Sequence, residues 1–581
     1  MTKNKKSKEV YSRLFAYGKR VKKELTIAFI ILFILTGLQI IMPMLIGNII
    51  DDKLGQDHLI ELRSIGFLLV GYLVVGLIQA VIRYLSSMSF MKTANLVAIE
   101  IRRDLFDHIQ RLPQKYFDNI SAGKVVSRIT NDTNALKSLF QTLLGQMVTS
   151  AVYIIAIFFV LLFKGSWAVL FVLVPMPIMY FLIKFYNKYS SQYNHDFRRS
   201  LSQINSDINE NIKGMEVIKT TNTEDGVYQA FEKVSEENFQ TGLKIEWLDS
   251  FVSFNATQTL SNINVLVVLL VFGLMNLKGN PNFSVGLMYI LLDYTQRIYS
   301  ALQQVLNRLR EIQRSLAAAD HIFEIFSMEA EEEKEVKGLK LEGNVSFKDV
   351  SFYYKDEDYV LKNISFEVPA GKTLALVGQT GSGKSSIINL LFRFYREQKG
   401  QVLFDGVDAN AYSLSDLRSN MAIVLQEPFI YQGTLRENIT LGRDYADEDV
   451  IAALEAVGGK NLFDNLGRNL DTVFSEAGSG LSQGEKQIIT FARAIIRDPK
   501  ILVLDEATSS IDSETESFIQ VGLEKLKEGR TTFVIAHRLS TIKDADEILV
   551  LSYGNIVERG SHQDLVDLGG LYYDMLMKES K

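Results

Sequence analysis

TLALVGQTGSGKSSIINLLFRFY, Thr373–Tyr395, decides the fold of the second half of this chain. Thr373–Gly378 reads as a buried strand, Gly378–Ser385 as a glycine-rich turn and the residues from Lys384 as an apolar helix. Glycines let backbone N–H groups wrap phosphate oxygens, and a helix N-terminus aimed at them adds its positive dipole. Gly378, Gln379, Thr380, Gly381, Ser382, Gly383, Lys384, Ser385 and Ser386 are the expected phosphate cradle. Lys384 has the reach for β and γ phosphates, and the Ser385 hydroxyl suits Mg²⁺.

A second stretch, LVLDEATSSID (Leu502–Asp512), complements the first. Its apolar residues make a buried strand that presents Asp505 and Glu506 at its C-terminal end, where ligands bind in α/β sheets. Asp505 suits a Mg²⁺ shell, and Glu506 suits a general base polarising the attacking water. The bland reading of Glu506 is a carboxylate that only tunes its neighbour. From about Leu341 onward, short β-branched strands alternate with turns and helices, as expected of an α/β fold.

The first half is different. Of the 581 residues 47% are hydrophobic, and the long apolar runs fall before residue 310. A helix needs about 20 apolar residues to cross hydrocarbon. Six segments qualify: Leu25–Ile50, Ile65–Ser87, Leu139–Phe163, Trp167–Tyr186, Phe251–Leu277 and Val285–Leu306. The first is too long for a signal-peptide core and lacks a small-residue cleavage pattern, so it reads as a retained span. Lys3, Lys5, Lys6, Lys8, Arg13, Lys19, Arg20, Lys22 and Lys23 precede it and place the N-terminus in the cytoplasm. Six crossings return the α/β half to the same side. The two long inside connections, about Met88–Ala135 and Asn187–Asp249, carry helical patterns that extend the spans into the cytosol. The expected organisation is a basic segment (1–24), a six-helix all-α transmembrane domain (25–325), a linker (326–340) and an α/β P-loop nucleotide-binding domain (341–581). The acidic run Met328–Gly338 reads as a solvated linker without chemistry.

Charge and composition exclude other classes. A net charge of −6 supplies no basic field for nucleic acid, and zero cysteines exclude disulfides and thiolate metal sites. Polar groups inside spans are functional candidates, since hydrocarbon penalises them. Arg83 has the length to snorkel to the interface. Asp293 either pairs with Arg297 one turn on or faces a water-filled cavity and favours cationic cargo. Asn255, Gln258, Asn262 and Asn264 either line that cavity or bond between helices.

With these motifs in order, the second half resembles the nucleotide-binding domain of ATP-binding cassette (ABC) ATPases. The resemblance implies that Tyr354, beside Tyr353, stacks on adenine. Gln426 in IVLQEP is then the Q-loop residue that contacts Mg²⁺ and the attacking water. His537 in VIAHRLS is the switch histidine at the γ-phosphate, and Asp512 lies in the loop that crosses the dimer interface. The first half resembles the six-helix exporter type. Tyr116–Asp132 and Glu210–Glu224 match its intracellular loops, each ending in a short coupling helix, and Phe474–Gly480, with Glu476, matches a contact loop.

LSQGEKQ, Leu481–Gln487, matches the signature usually written LSGGQ, with Gln483 and Glu485 at altered positions and Ser482 and Gly484 retained. In the family, this signature closes over ATP held by the other chain. The cofactors implied are ATP and Mg²⁺. An altered signature beside complete catalytic residues implies a heterodimer with a second ABC half-transporter. In it, Glu506, His537 and Gln426 hydrolyse ATP against the partner's signature, and LSQGE caps a poorer site. A homodimer tolerating these substitutions is the alternative. The function implied is export of amphipathic, often cationic small molecules across a bacterial cell membrane, with a lipid flippase as runner-up. Peptide export is disfavoured because no peptidase domain precedes the first span. Glu506 and His537 weigh against an ATP-gated channel that binds without turnover.

Overall fold

The computed structural model describes residues 3–51, 62–164, 169–278, 284–331, 340–355, 357–505, 520, 522–536 and 542–579. Glu506, Asp512 and His537 lie outside these residues, as do Trp167 and residues 332–339 of the expected linker. The chain divides into a helical unit, residues 1–110 and 121–329, and an α/β unit, residues 330–581 together with residues 111–120.

In the helical unit, four stretches among the described residues are long and apolar enough to cross a membrane: Lys22–Ile49, Leu69–Gln110, Ala122–Phe163 and Glu224–Met275. Large apolar side chains such as Leu69, Phe163 and Leu270 are exposed along them, which suits a lipid solvent and not water. The other two expected spans fall in helices that do not meet that criterion. The fourth is a short helix, Leu170–Leu173, followed at Pro175 by helix Pro175–Lys213. The sixth lies in Val285–Phe326, where Asp293 and Arg297 interrupt the apolar run. At about 1.5 Å per residue, the 49 residues of Leu62–Gln110 extend about 75 Å, well beyond a bilayer's hydrocarbon. Pro175–Lys213 and Glu224–Leu248 form a second long hairpin, turned by Met215–Thr221 and Asn222 at φ 51°. Asn238 bolts it by donating to Ser200 Oγ (2.8 Å) and the Phe197 carbonyl (3.1 Å).

The first and sixth spanning helices meet closely where their small residues align. A Cβ added at Gly286 would fall on the Gly47 carbonyl oxygen, and one at Gly47 would lie 2.5 Å from Ile290 Cδ1. Asp51 finishes this junction: its carboxylate accepts from Ser284 Oγ (2.6 Å) and from the Gly286 amide (2.7 Å), at the start of helix Val285–Phe326. Deeper in, Tyr294 Oη donates to the Ile40 carbonyl at 2.8 Å.

The α/β unit is built on a six-stranded sheet. Its strands are β3 (Thr373–Gly378), β6 (Met421–Val424), β9 (Ile501–Asp505), β10 (Thr531–Ile535), β11 (Glu547–Ser552) and β12 (Asn555–Gly560), in the order β12-β11-β3-β10-β9-β6. All neighbours are parallel except β11 and β12. Both faces are covered, so β3 reads as a continuous apolar run: Ala375 and Val377 enter one core, Leu374 and Leu376 the other. A four-stranded antiparallel sheet, β2-β1-β4-β5, adds β1 (Val345–Phe352), β2 (Leu361–Val368), β4 (Lys399–Phe404) and β5 (Val407–Asp408). β7 (Gly433–Thr434) and β8 (Val473–Phe474) form a small ribbon.

The reading of the linker as free of chemistry is corrected at its first residues. Glu331 accepts a two-pronged pair from Arg418 (2.7 and 2.9 Å), and its amide donates to the Arg111 carbonyl at 2.8 Å. Composition read it as solvated; a planar guanidinium supplied by tertiary structure fixes it instead.

The close helix junction gives a stability prediction. Gly286→Ala forces the first and sixth helices apart and misplaces the Asp51 cap. It is expected to lower the thermal unfolding midpoint of the detergent-solubilised protein by several degrees, corresponding to about 1–3 kcal/mol. Size-exclusion after stepwise heating would measure this; an unchanged midpoint rules out the close packing.

Candidate functional site

The cradle expected between Gly378 and Ser386 sits at the C-terminal end of β3 and opens helix Lys384–Leu391. Two glycines are required there by geometry. Gly378 has φ 154°, and a Cβ would meet the Leu551 carbonyl and Ser382. Gly383 has φ 110°, and a Cβ would lie 2.6 Å from Leu361 Cδ2. Lys384 is 6% exposed, its ammonium folded onto the loop's own carbonyls, Gly378 O at 2.6 Å and Gln379 O at 3.1 Å. Burial lowers its pKa below the ordinary lysine value, against the opposing pull of the Asp505 carboxylate. Ser382 Oγ is buried inside the loop with no hydrogen-bond partner among the described residues. A cradle with a stored cation and an unmet hydroxyl is prepared for an anion.

β10 lies between β3 and β9, so Asp505, at the end of β9, faces the same rim as Lys384. β6 lies on the far side of β9, and Gln426 follows its end, exposed. Ser385 is exposed and Ser386 buried at the helix start. The expected metal set of Ser385, Gln426 and Asp505 has one carboxylate, and among the described residues no cluster of three or more acidic or imidazole groups occurs. One carboxylate, one hydroxyl and one amide oxygen suit a hard cation that keeps much of its water.

The two neighbouring tyrosines are separated by their surroundings. Tyr354 Oη lies 3.0 Å from Ser386 Oγ and accepts from Asn389 Nδ2 at 3.0 Å, on the cradle's helix. Tyr353 instead turns to Tyr359, its amide donating to Gln398 Oε1 at 2.8 Å. Sequence reasoning assigned no role to Tyr395, which stands edge-on to Tyr354 with ring centroids 4.9 Å apart. Tyr395 Oη donates to Asp118 Oδ2 at 2.6 Å, and Lys355 Nζ donates to Asn119 Oδ1 at 2.9 Å. Burial first, and the Asp118 carboxylate second, raise the Tyr395 phenol above its ordinary pKa. Asp118 ends the short helix Gln114–Asp118 in the first intracellular loop, so that loop's tip reaches the aromatic pair beside the cradle. A hollow of about 600 Å³ lies between them, lined by Lys115, Asp118, Tyr354, Asn389 and Tyr395 among others.

Residues 25–298 match the ABC transporter transmembrane region, and residues 361–509 match the ABC transporter ATPase domain. The chain is 42% identical over 494 residues to the probable multidrug resistance ABC transporter ATP-binding/permease protein YheH of Bacillus subtilis, covering 85% of this chain and 73% of that one. The chain belongs to the ABC transporter family. This ABC transporter is also 35% identical to the putative ABC transporter ATP-binding protein exp8 of Streptococcus pneumoniae, over 97% of this chain and 96% of the other. It is 34% identical to the ATP-dependent lipid A-core flippase of Mannheimia succiniciproducens, over 91% and 90%. Its fold is that of a bacterial Atm1-family ABC exporter with ATP bound, at a TM-score of 0.81 and 24% identity, covering 97% of this chain and 99% of that one. It is a membrane protein whose ATPase domain drives export.

The transporter's signature carries a feature that sequence reasoning left unread, although Ser-x-x-Glu before an apolar helix is a capping-box pattern. Ser482 is the N-cap of helix Gln483–Ile495, and its Oγ accepts from the Glu485 amide at 3.3 Å. The Glu485 carboxylate turns back and accepts from both the Ser482 amide (2.8 Å) and the Ser482 hydroxyl (2.9 Å). Gln483 is exposed and Gly484 buried. The helix N-terminus thus holds an anion of its own. The Glu476 side chain lies outside what the structure describes.

The Tyr395–Asp118 bond gives a coupling prediction. Tyr395→Phe and Asp118→Asn are each expected to reduce the ratio of cargo-stimulated to basal ATPase activity two- to fivefold. The double variant should be no worse than the stronger single one, since both remove one contact. Fully additive losses in a double-mutant cycle would show that the bond is not the shared element.

Proposed function

We propose that this transporter is the glutamate-bearing half of a heterodimeric exporter of amphipathic small molecules. ATP is hydrolysed where its own P-loop meets the partner's signature. The observation that carries the reading is the capping box at Ser482. In an exporter dimer the signature helix offers its N-terminal dipole and serine hydroxyl to ATP on the facing chain. Here the Glu485 carboxylate takes both. Two unit charges about 5 Å apart near a protein surface repel by roughly 3 kcal/mol, before salt screening. The usual glutamine makes the same box without that charge, so this signature opposes a γ-phosphate that a consensus signature would welcome.

The chain's own Walker side is of the complete type. Lys384 would leave the loop carbonyls for the phosphates, and Ser385, Gln426 and Asp505 would hold Mg²⁺, which would supply neutralising charge for the transferring phosphoryl group. Glu506 orients and deprotonates the attacking water, and His537 contacts the γ-phosphate. Tyr354 positions adenine. The exposed apolar tip of the second loop, Ile212, Met215 and Val217, supports pairing, since such a surface is covered when a second chain docks. The N-terminus and ATPase domain are cytoplasmic. The multidrug name of the Bacillus relative favours small-molecule cargo; the flippase relatives favour lipid export as the second reading. Asp293 is paired with Arg297, so its charge is compensated within its own helix and cationic cargo gains little from it.

The chain purified without a partner tests this. A homodimer, with LSQGE at both sites, is expected to turn over ATP slowly. Gln483→Gly with Glu485→Gln should raise that rate at least tenfold. Efficient cargo-stimulated ATPase activity in the unmodified homodimer would sink the heterodimer reading. Glu506→Gln is expected to reduce turnover about a hundredfold or more in any assembly.

A further inference from the structure

The helical unit contains a second place where polar groups are held ready and unmet. Thr295 and Tyr299 stand one turn apart on helix Val285–Phe326, 2% and 6% exposed, and neither hydroxyl has a hydrogen-bond partner among the described residues. Both line a cavity of about 10 Å³ together with Asn264, Met176 and Met179. Asn264 is itself spent on structure: its amide donates to the Phe171 carbonyl at 2.9 Å, tying the fifth helix to the fourth. The other fifth-helix amides do not contribute. Gln258 bonds Asn262 on an exposed face, and Asn255 is exposed.

Two unmet hydroxyls in an apolar helix bundle carry a standing cost, because no water in the hydrocarbon relieves them. They persist where something else supplies the partner. The space accepts one oxygen-sized group and no more. Its chemistry is specific, since two residues with unpartnered hydroxyls line it and none of its lining side chains carries a formal charge. The surrounding wall is apolar and partly methionine, which yields to varied shapes. The charged pair Asp293–Arg297 neutralises itself nearby in sequence and leaves no net charge for recognition.

We infer that Thr295 and Tyr299 form a hydrogen-bonding socket for one uncharged oxygen of the cargo, a carbonyl or ether. This rests on the small-molecule export reading above. It makes recognition neutral and donor-based, so the preferred cargo is an amphipath with an exposed acceptor oxygen and not an ion selected by charge. A trapped water is the other source of the same chemistry, and the experiment separates the two.

Inverted membrane vesicles containing the transporter in its native assembly would be given Nile red, a neutral carbonyl-bearing dye, and tetraphenylphosphonium, a cation with no hydrogen-bonding group. Thr295→Val and Tyr299→Phe remove only the hydroxyls. Each is expected to lower the ratio of Nile red to tetraphenylphosphonium transport fivefold or more through a raised KM, and Thr295→Ser should restore it. An unchanged ratio in the Val and Phe variants, with or without a higher unfolding temperature, overturns the socket and leaves a water pocket only. Wild-type vesicles that move neither compound overturn the small-molecule reading, and the socket falls with it. Wild-type transport of Nile red with insensitive variants overturns the socket alone.

Discussion

The nucleotide side of this transporter depends on strand β3 being buried on both faces. Ala375 and Val377 point into one core, Leu374 and Leu376 into the other, and parallel neighbours β10 and β11 hold the strand's backbone. A strand fixed in this way ends at one place, Gly378, and the cradle inherits that rigidity. Lys384 and Ser382 are positioned by a sheet that cannot slide, and Tyr354 reaches the cradle's helix from beyond the end of β1 in the second sheet. The same sheet brings Asp505 to the cradle's rim through β9 and places Gln426 one strand further out.

Around this frame, charges are placed so that each end of the nucleotide chemistry has a different temper. At the P-loop a cation is stored against carbonyl oxygens. At the signature helix an anion is already in place, because Glu485 closes on Ser482. The two features are opposite answers to one physical situation, a helix N-terminus with unsatisfied N–H groups. One keeps a lysine ammonium beside its N–H groups; the other closes on its own carboxylate. This contrast is the support for the asymmetric pairing proposed above.

Within the α/β unit, residues 111–120 meet the aromatic pair Tyr354 and Tyr395. A bond from Tyr395 to Asp118 places the tip of the first intracellular loop beside the ring expected to meet adenine. Local pattern cannot reveal such a contact. Asp118 and Tyr395 are separated by 277 positions, and each looks ordinary in its own neighbourhood. Glu331 and Arg418 teach the same lesson: an acidic stretch reads as solvated until a guanidinium arrives from elsewhere.

What the sequence determined by itself was the part governed by short-range rules. The strand–glycine loop–helix, the acidic strand end and the apolar segments are written in consecutive residues, because a buried strand, a tight turn and a bilayer each constrain neighbours along the chain. Ser482 and Glu485 were also legible as a capping pair, three residues apart. Only the tertiary structure decided which polar groups were satisfied. Asn264 was bound to the Phe171 carbonyl on another segment, and Thr295 and Tyr299 were left without partners among the described residues. The reason is physical: hydrogen-bond satisfaction in an apolar interior depends on what other helices bring within about 3 Å, and no pattern within one helix records that.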